Sequence, residues 1–215
     1  MAKRASQRPA NVAYYAQNRE REIRRVRVRQ DATLRLLRDL RRVPCGDCGG
    51  TFEPHQMDFD HRESSSKSFH VTSGRAMLMS RDRLNTEVQK CDIVCANCHN
   101  VRTWVTHRSK IAEMSPSTAK SPYIDRQRAR WRAHARFLDA LRDVPCADCG
   151  GRFPPCAMDF DHREPGTKLA TVTRMIGRAA IVRILAEAAK CDIVCANCHR
   201  ARTYGRRAAP FSERE

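Results

Sequence analysis

Apolar residues recur at three- and four-residue spacing in several stretches of the chain, which is the pattern of an amphipathic helix. Helices are predicted over residues 12–42, 75–90, 96–106, 123–142 and 175–190, with a last one ending near Tyr204. The residues expected on the buried faces are Leu34, Leu37 and Leu40, then Met77, Leu78, Leu84 and Val88, then Phe137, Leu138 and Leu141. Residues 1–10 are polar and broken by Pro9, so no regular structure is predicted there.

Two short segments alternate apolar and acidic residues, which is the period-two pattern of a strand. One is Met57–Asp60 and the other is Met158–Asp161. A further short strand is predicted at residues 92–94, directly before a pair of cysteines. Helices together with a few short strands indicate the α+β fold class.

These elements occur twice because the chain contains an internal repeat. The ten letters KCDIVCANCH stand at residues 90–99 and again at 190–199, and MDFDHRE and P-C-x-D-C-G-G precede both copies. Two tandem units are therefore predicted. The expected organisation is a basic arm over residues 1–33, a first zinc domain over 34–107, a Ser- and Pro-rich linker over 108–122, a second basic helix and zinc domain over 123–205, and a tail over 206–215.

The charge of the chain narrows the class of partner. The formal net charge is +17, from 41 Lys plus Arg and 24 Asp plus Glu. Residues 1–42 alone carry 13 Lys plus Arg against 4 Asp plus Glu, among them Arg24 and Arg25. Such a one-signed run favours a polyanion, and nucleic acid is the default partner. No apolar run is long enough for a membrane span and the first residues lack a secretory core, so a cytoplasmic location is expected.

The cysteines form two sets of metal-ligand spacing. Each copy has two C-x2-C pairs, and two such pairs complete a tetrahedron around one zinc ion. The ligands predicted are Cys45, Cys48, Cys95 and Cys98 in copy 1 and Cys146, Cys149, Cys195 and Cys198 in copy 2. Two structural Zn²⁺ ions are therefore expected to stabilise units too small to rely on an apolar core.

Three cysteines remain outside these sets, since the chain has 11. Cys91 and Cys191 precede the second pairs and are interpreted as core residues, because the tetrahedra are already complete. Cys156 matches His55 of copy 1, so no role is assigned to it.

The other chemically active residues of each copy are an Asp-His pair at the end of the strand and a histidine directly after the last cysteine. In copy 1 these are Asp60, His61 and His99. Alternation along the strand places Asp60 and His61 on opposite faces. A hard divalent ion held by Asp60 and His99 would keep positions open for phosphate oxygens, and His61 would deprotonate the attacking water.

The order C-x2-C, D-H, C-x2-C-H resembles the zinc-containing HNH endonucleases of the ββα-metal superfamily. The resemblance covers residues 34–105 and 135–205. It implies that the two tandem units, each preceded by a predicted basic helix, are zinc-stapled ββα-metal units. It also implies a metal-dependent DNA endonuclease with two centres, which acts on double-stranded DNA. By position it makes Asp60, His99, Asp161 and His199 the ligands of a catalytic Mg²⁺ or Mn²⁺ ion, and His61 and His162 the general bases.

One position departs from the family pattern. Each C-x2-C pair with its turn is called a knuckle. In the family, the middle asparagine stands about five residues before the second knuckle, where this chain has Lys90 and Lys190. Asn97 and Asn197 are the amides available for that role, whereas Asn85 matches Leu185 or Ala186 in copy 2. Asn97 can equally cap the helix that follows it.

Two interpretations stay open for the basic residues near each candidate centre. Lys67 and Lys168 lie at matching loop positions, and Arg102 and Arg202 lie one turn beyond the last histidine. Each can hold phosphate, or can be an ordinary solvated cation. Charge and zinc fit a non-catalytic nucleic-acid-binding module equally well, and a structural adaptor for a protein partner is a third hypothesis.

Overall fold

The computed structural model describes residues 3–74, 76–113 and 122–208. Six α-helices and four strands lie in these ranges. The order is α1 (Lys3–Leu40), β1 (Met57–His61), α2 (Arg81–Val88), β2 (Cys91–Cys95), α3 (Ala96–Glu113), α4 (Pro122–Leu141), β3 (Met158–His162), α5 (Ile181–Ala188), β4 (Cys191–Cys195) and α6 (Ala196–Ala208). The α+β class is confirmed. None of the helices described is both long enough and apolar enough to span a membrane.

Several helix bounds differ from those predicted. Helix α1 begins at Lys3, so the expectation of irregular structure over residues 1–10 is wrong from that residue onward. Helix α3 runs to Glu113, into the predicted linker, and residues 114–121 lie outside the described ranges. Helices α2 and α5 are eight residues each, because short 3-10 turns replace the first part of each predicted helix. Ser80 caps α2 by accepting a hydrogen bond from the backbone N–H of Arg83.

The two compact units of the chain do not coincide with the two copies of the repeat. Unit 1 comprises Met1–Val43 and Phe59–Ile93, and unit 2 comprises Pro44–Asp58 and Val94–Glu215. Unit 2 therefore contains the knuckles of both copies and the whole of copy 2. The domain boundaries drawn from the sequence stay a prediction.

The end of α1 packs on the apolar core of unit 1. Leu37 is 1% exposed and lies with Val71, Leu84 and Cys91, and Leu36 and Leu40 pack against the same cluster. Leu34, by contrast, is 52% exposed, so its predicted burial is wrong. Each step of three residues falls about 60° short of a full turn, so two such steps place Leu34 about 120° away from Leu40, whereas Leu36 and Leu40 are four residues apart and share a face.

Two further buried positions were also misassigned. Leu78 is 48% exposed and Phe137 is 37% exposed. Leu138, the neighbour of Phe137, is fully buried in unit 2 with Val172, Ile184 and Cys191. Cys91 and Cys191 thus lie in apolar cores, as predicted from the sequence.

Each basic helix is joined to its own copy by one arginine. In unit 1, Arg29 donates from Nη2 to the carbonyl oxygen of Met79 at 2.9 Å. In unit 2, Arg130 donates from Nη2 to the carbonyl oxygen of Ala179 at 2.8 Å. The equivalent contact in both copies shows that the basic helices belong to the repeated unit.

Each copy has one two-stranded sheet, and the sheet of copy 2 sets the register of its chemical groups. Strands β3 and β4 are antiparallel, with Met158 opposite Cys195, Asp161 opposite Asp192 and His162 opposite Cys191. Like charges directly opposite one another are unfavourable. Arg202 offsets this repulsion by donating to both carboxylates, at 3.1 Å to Asp161 and 2.9 Å to Asp192.

Within unit 2 the first turns of α3 and α6 lie against each other. The backbone N–H of Asn97 donates to Oδ1 of Asn197 at 3.3 Å, and the backbone N–H of Asn197 donates to Oδ1 of Asn97 at 3.0 Å. Helix starts leave such N–H groups without intrahelical acceptors. Each asparagine therefore caps the helix of the other copy.

Candidate metal centres and carboxylate–histidine groups

Two identical loop turns bring the first cysteine pair of each copy into position. In copy 1 the backbone N–H of Gly49 donates to the carbonyl of Cys45, and the N–H of Cys45 donates to the carbonyl of Gly50, both at 2.9 Å. Gly49 and Gly150 have φ values of 69° and 68°. This left-handed backbone favours glycine, which explains the residue that follows each pair.

The four thiols of each copy converge on one point. The sulfur atoms of each set lie within 4.8 Å of one another, and a tetrahedral zinc ion with bonds of about 2.3 Å needs sulfur–sulfur separations near 3.8 Å. Within the described ranges these are the groups of His, Cys, Asp or Glu that meet this distance. The two four-cysteine clusters fit structural metal ions such as zinc, as predicted.

The electrostatics of each cluster also favour a bound cation. Burial acts to raise the pKa of Cys45, but hydrogen bonds from the backbone N–H groups of Cys48, Cys95 and Asp47 outweigh it and lower that pKa to about 7. The pKa of Cys146 is lowered to about 7 in the same way. Burial and the neighbouring thiolates raise the pKa of Cys98 well above its usual range. The pKa of Cys198 is raised in the same way, so a bound divalent ion would favour ionisation of both thiols by balancing the charge of each set.

One cluster receives a hydrogen bond from the other copy. Burial raises the pKa of Cys195, and the side chain of Asn97 is among the hydrogen-bond partners that lower it. Asn97 and Asn197 are 6% and 4% exposed. Asn97 thus touches both the start of α6 and the thiolate of copy 2.

The strand-end histidine of each copy is held by a buried glutamate. His61 Nε2 lies 2.9 Å from Glu87 Oε1, and His162 Nε2 lies 2.8 Å from Glu187 Oε1. Each glutamate side chain is 2% exposed, and the histidine side chains are 7% and 6% exposed. Lys90 and Lys190 donate to the second carboxylate oxygen at 2.7 Å. The positions that depart from the family pattern therefore belong to a His–Glu–Lys network.

The ionisation of the glutamates fixes the histidine tautomer. Burial acts to raise the pKa of Glu87, but the hydrogen bonds from Lys90, His61 and the backbone of Ser68 and Phe69 lower it to about 2. The pKa of Glu187 is lowered to about 2, chiefly by Lys190. An ionised carboxylate only accepts hydrogen bonds, so Nε2 of each histidine carries the hydrogen. Nδ1 is then the ring atom of the neutral histidine that can accept a proton.

The histidine after the last cysteine is also oriented by a carboxylate. His99 Nδ1 lies 2.7 Å from Asp58 Oδ2, and His199 Nδ1 lies 3.0 Å from Asp159 Oδ2. This contact raises the pKa of His199. It also leaves Nε2 as the ring atom that can bind a metal ion when the histidine is neutral.

Asp58 has one further partner that Asp159 lacks among the contacts described. Arg200, from the start of α6, donates from Nη2 to Asp58 Oδ2 at 2.6 Å. Burial opposes ionisation, but His99 and Arg200 lower the pKa of Asp58 to about 2. The position equivalent to Arg200 in copy 1 is Asn100, so the two copies differ here by one charge.

Asp161 is surrounded by guanidinium groups. Arg206 binds it through both terminal nitrogens, at 2.9 Å to Oδ1 and 3.1 Å to Oδ2, and Arg202 donates to Oδ2 at 3.1 Å. The Asp161 side chain is 6% exposed. Burial acts to raise the pKa of Asp161, but these arginines outweigh it and lower that pKa.

The predicted divalent-ion site of copy 2 has one feature that favours binding of an ion and one that opposes it. His199 Nε2 lies 3.5 Å from Asp161 Oδ1, close to the roughly 3 Å that separates neighbouring ligands of a small octahedral ion. Both oxygens of Asp161, however, already accept hydrogen bonds from arginine. The residues of copy 2 therefore do not fit a divalent ion while Arg206 holds Asp161. The ligand pair Asp60 and His99 joins residues of different units and stays a prediction.

The remaining predicted residues have the following positions. Asn97 and Asn197 cap helices, whereas the side-chain partner of His162 is Glu187. Arg102 is bound to Asp47 at 2.8 and 2.5 Å, as Arg202 is to Asp148. Lys67 Nζ lies 3.1 Å from His70 Nδ1. Lys168 and Arg24 are exposed, and Arg25 pairs with Glu22 at 3.7 Å.

Sequence reasoning missed Glu87, Glu187, Asp58 and Asp159. The signal was present for the glutamates, because each stands three residues before the repeated Lys and on the helix face that also carries a buried leucine or isoleucine. A repeated acidic residue on an apolar face indicates a buried partner.

Comparison with protein-family models, with curated proteins and with solved structures gives no match to this chain. The two four-cysteine clusters accordingly define it as a candidate metal-binding protein built of two repeated α+β units.

Proposed function

We propose that the chain is a DNA endonuclease of the HNH type that hydrolyses phosphodiester bonds. The observation that carries the proposal is the histidine at the end of β1 and β3, which is bound through Nε2 to an ionised glutamate. A carboxylate that fixes the tautomer of a histidine makes the other ring nitrogen a general base, as in acyl-transfer enzymes. The base would remove a proton from the attacking water.

The charge of the chain supports DNA as the substrate. The net charge is +17, and Arg24 and Arg25 are exposed on the long helix α1. Arginine side chains on an exposed helix bind phosphates without reading sequence. The chain would therefore bind duplex DNA mainly through contacts with the phosphate backbone of the DNA.

The resemblance to HNH endonucleases also implies a divalent ion, Mg²⁺ or Mn²⁺. Such an ion supplies a Lewis acid that balances charge on the phosphate. Of the predicted ligands in copy 1, His99 is oriented by Asp58, which leaves Nε2 as the atom that would coordinate the ion.

The second candidate function is a zinc-stapled DNA-binding protein without catalysis. It is favoured by the burial of His162 and by the arginines on Asp161, since both groups are then engaged in structural contacts. In this case the carboxylates serve to order α6, and the basic helices supply all of the affinity.

Cleavage of supercoiled plasmid separates the two candidates. The zinc-loaded protein is incubated at low salt with Mg²⁺ or Mn²⁺, and compared with His61→Ala, His162→Ala and the double variant. The endonuclease should convert the plasmid to nicked circles only with the added ion, and the double variant should lose this activity by at least about a hundredfold. A plasmid that is retarded on a gel but not cut would contradict the endonuclease and favour the zinc-stapled DNA-binding protein.

Measurements of zinc content and of thermal melting serve as controls for this experiment. Each variant must retain two zinc ions per chain, because loss of the clusters would abolish cleavage for a structural reason. Glu164→Ala is the matched control, since this exposed carboxylate lies beside the same strand.

A further inference from the structure

Asp161 is bound by one arginine that has no equivalent in copy 1. Arg202 corresponds to Arg102, and both bind the aspartate of their own knuckle. Arg206 corresponds to Thr106. Arg202 therefore belongs to the shared structure of the repeat, whereas Arg206 is an addition to copy 2.

The geometry of Arg206 is that of a strong ion pair. Its two terminal nitrogens bind the two oxygens of Asp161 in parallel, at 2.9 and 3.1 Å. Bidentate pairs of this kind are stronger and more specific than single contacts. The carboxylate is nearly buried whereas the Arg206 side chain is 41% exposed, so water screens the pair in part and its two parallel hydrogen bonds define it.

A divalent ion on Asp161 would have to compete with this pair. The arginine guanidinium group is positively charged in proteins. An ion placed between His199 Nε2 and Asp161 Oδ1 would lie beside a guanidinium group of the same sign, and like charges at that distance repel each other. Binding of the ion thus requires Arg206 to leave.

We propose that Arg206 occupies the cation position of copy 2 and keeps divalent metal ions off Asp161, so that metal-dependent cleavage depends on the first copy. Copy 2 then contributes its zinc cluster, its basic helix and Arg200, which reaches Asp58 of the first copy. The assignment of Asp161 and His199 as metal ligands rests on the function proposed above.

Binding of Mn²⁺ tests this inference without measuring cleavage. The zinc-loaded full chain is titrated with Mn²⁺, free Mn²⁺ is counted by electron paramagnetic resonance, and broadening of the His199 ring signals is followed by NMR. The wild type should show no broadening of His199 at Mn²⁺ concentrations that broaden it in Arg206→Thr. Arg206→Thr should gain one Mn²⁺ site, at least about tenfold tighter than any site at His199 in the wild type.

Three further variants make the result specific. Adding Asp161→Asn to Arg206→Thr should remove the new site. Arg183→Thr, which removes one exposed positive charge from α5, should leave Mn²⁺ binding at His199 unchanged. Arg206→Gln keeps a hydrogen-bond donor without the charge, and it should also gain the site if Arg206→Thr loses its zinc.

Two results would overturn the inference. One is broadening of His199 in the wild type at the same Mn²⁺ concentration as in Arg206→Thr. The other is the absence of a new site in both Arg206→Thr and Arg206→Gln when each retains two zinc ions.

Plasmid cleavage distinguishes failure of this inference from failure of the proposed function. Cleavage that survives His61→Ala at the wild-type rate would overturn the division between the copies and leave the endonuclease standing. A chain that gains the Mn²⁺ site in Arg206→Thr but never cuts DNA would instead retain the role of Arg206 and lose the proposed activity.

Discussion

The two copies of the repeat share the groups that shape the fold and differ in charge at two positions. Both have a four-cysteine cluster, a His–Glu–Lys network and an arginine bound to the knuckle aspartate. The differences are Asn100 against Arg200 and Thr106 against Arg206, on the helix that follows the second knuckle. These two helix positions therefore differ between the copies, while the cysteine clusters and the His–Glu–Lys networks do not.

The shared groups have a common physical reason. The glutamate of each network and the first cysteine of each C-x2-C pair are buried, and a buried charge that loses its partner is costly. Arg200 and Arg206 have side chains that are 36% and 41% exposed, so their replacement by Asn or Thr is tolerated by the fold. Two copies with the same fold and the same buried groups can therefore differ in their chemistry.

The largest expected effect comes from zinc, and it should be equal in the two copies. Cys98→Ser and Cys198→Ser should each lose one zinc ion and most of the cooperative unfolding transition, because structural zinc supplies on the order of 10 kcal/mol. Metal analysis and circular dichroism melting measure both effects. Cys156→Ser, outside the clusters, is the control and should keep two zinc ions. Unequal losses would show that one cluster is dispensable.

The next effect comes from the buried glutamates. Glu87→Ala and Glu187→Ala should each lower the free energy of unfolding by about 3–5 kcal/mol, because a lysine, a histidine and two backbone N–H groups lose their acceptor. Chemical denaturation measures this change, with Glu164→Ala expected within about 0.5 kcal/mol of the wild type. Values below about 1 kcal/mol would mean that the network is not buried in solution.

The smallest expected effect is a loss of stability that should differ between the two copies. Asn97→Ala and Asn197→Ala each remove one cap, at a cost of about 1 kcal/mol. Asn97→Ala should cost more, because Asn97 also bonds to the thiolate of Cys195. It should also speed the release of zinc from the second cluster to a chelator, which a thiol-reactive dye would detect. Equal release rates in the two variants would contradict this asymmetry.

Much of the skeleton could be predicted from the sequence because its signals are local or repeated. Cysteine spacing predicted both clusters, and alternation predicted β1 and β3 to within one residue. The partners of the histidines could not be predicted in the same way. Glu187 lies 25 residues from His162, and only the packing of α5 on the sheet brings them together.

The partners contributed by the other copy were also beyond the sequence. Asn97 could be recognised as a helix-capping residue, but the helix that it caps begins 100 residues further along the chain. Arg200 and Asp58 are 142 residues apart. Composition and spacing describe each copy alone, and neither contains a signal for contacts between copies.

The exchange of caps between Asn97 and Asn197 has a consequence for the synthesis of the protein. The first copy leaves the ribosome about 100 residues before the second. The backbone N–H of Asn97 at the start of α3 therefore lacks its acceptor until Asn197 has been made. Loading of zinc into the first cluster during translation would hold that half-finished copy in shape. Until Asn197 has been made, the order of the first copy then depends on its own zinc cluster.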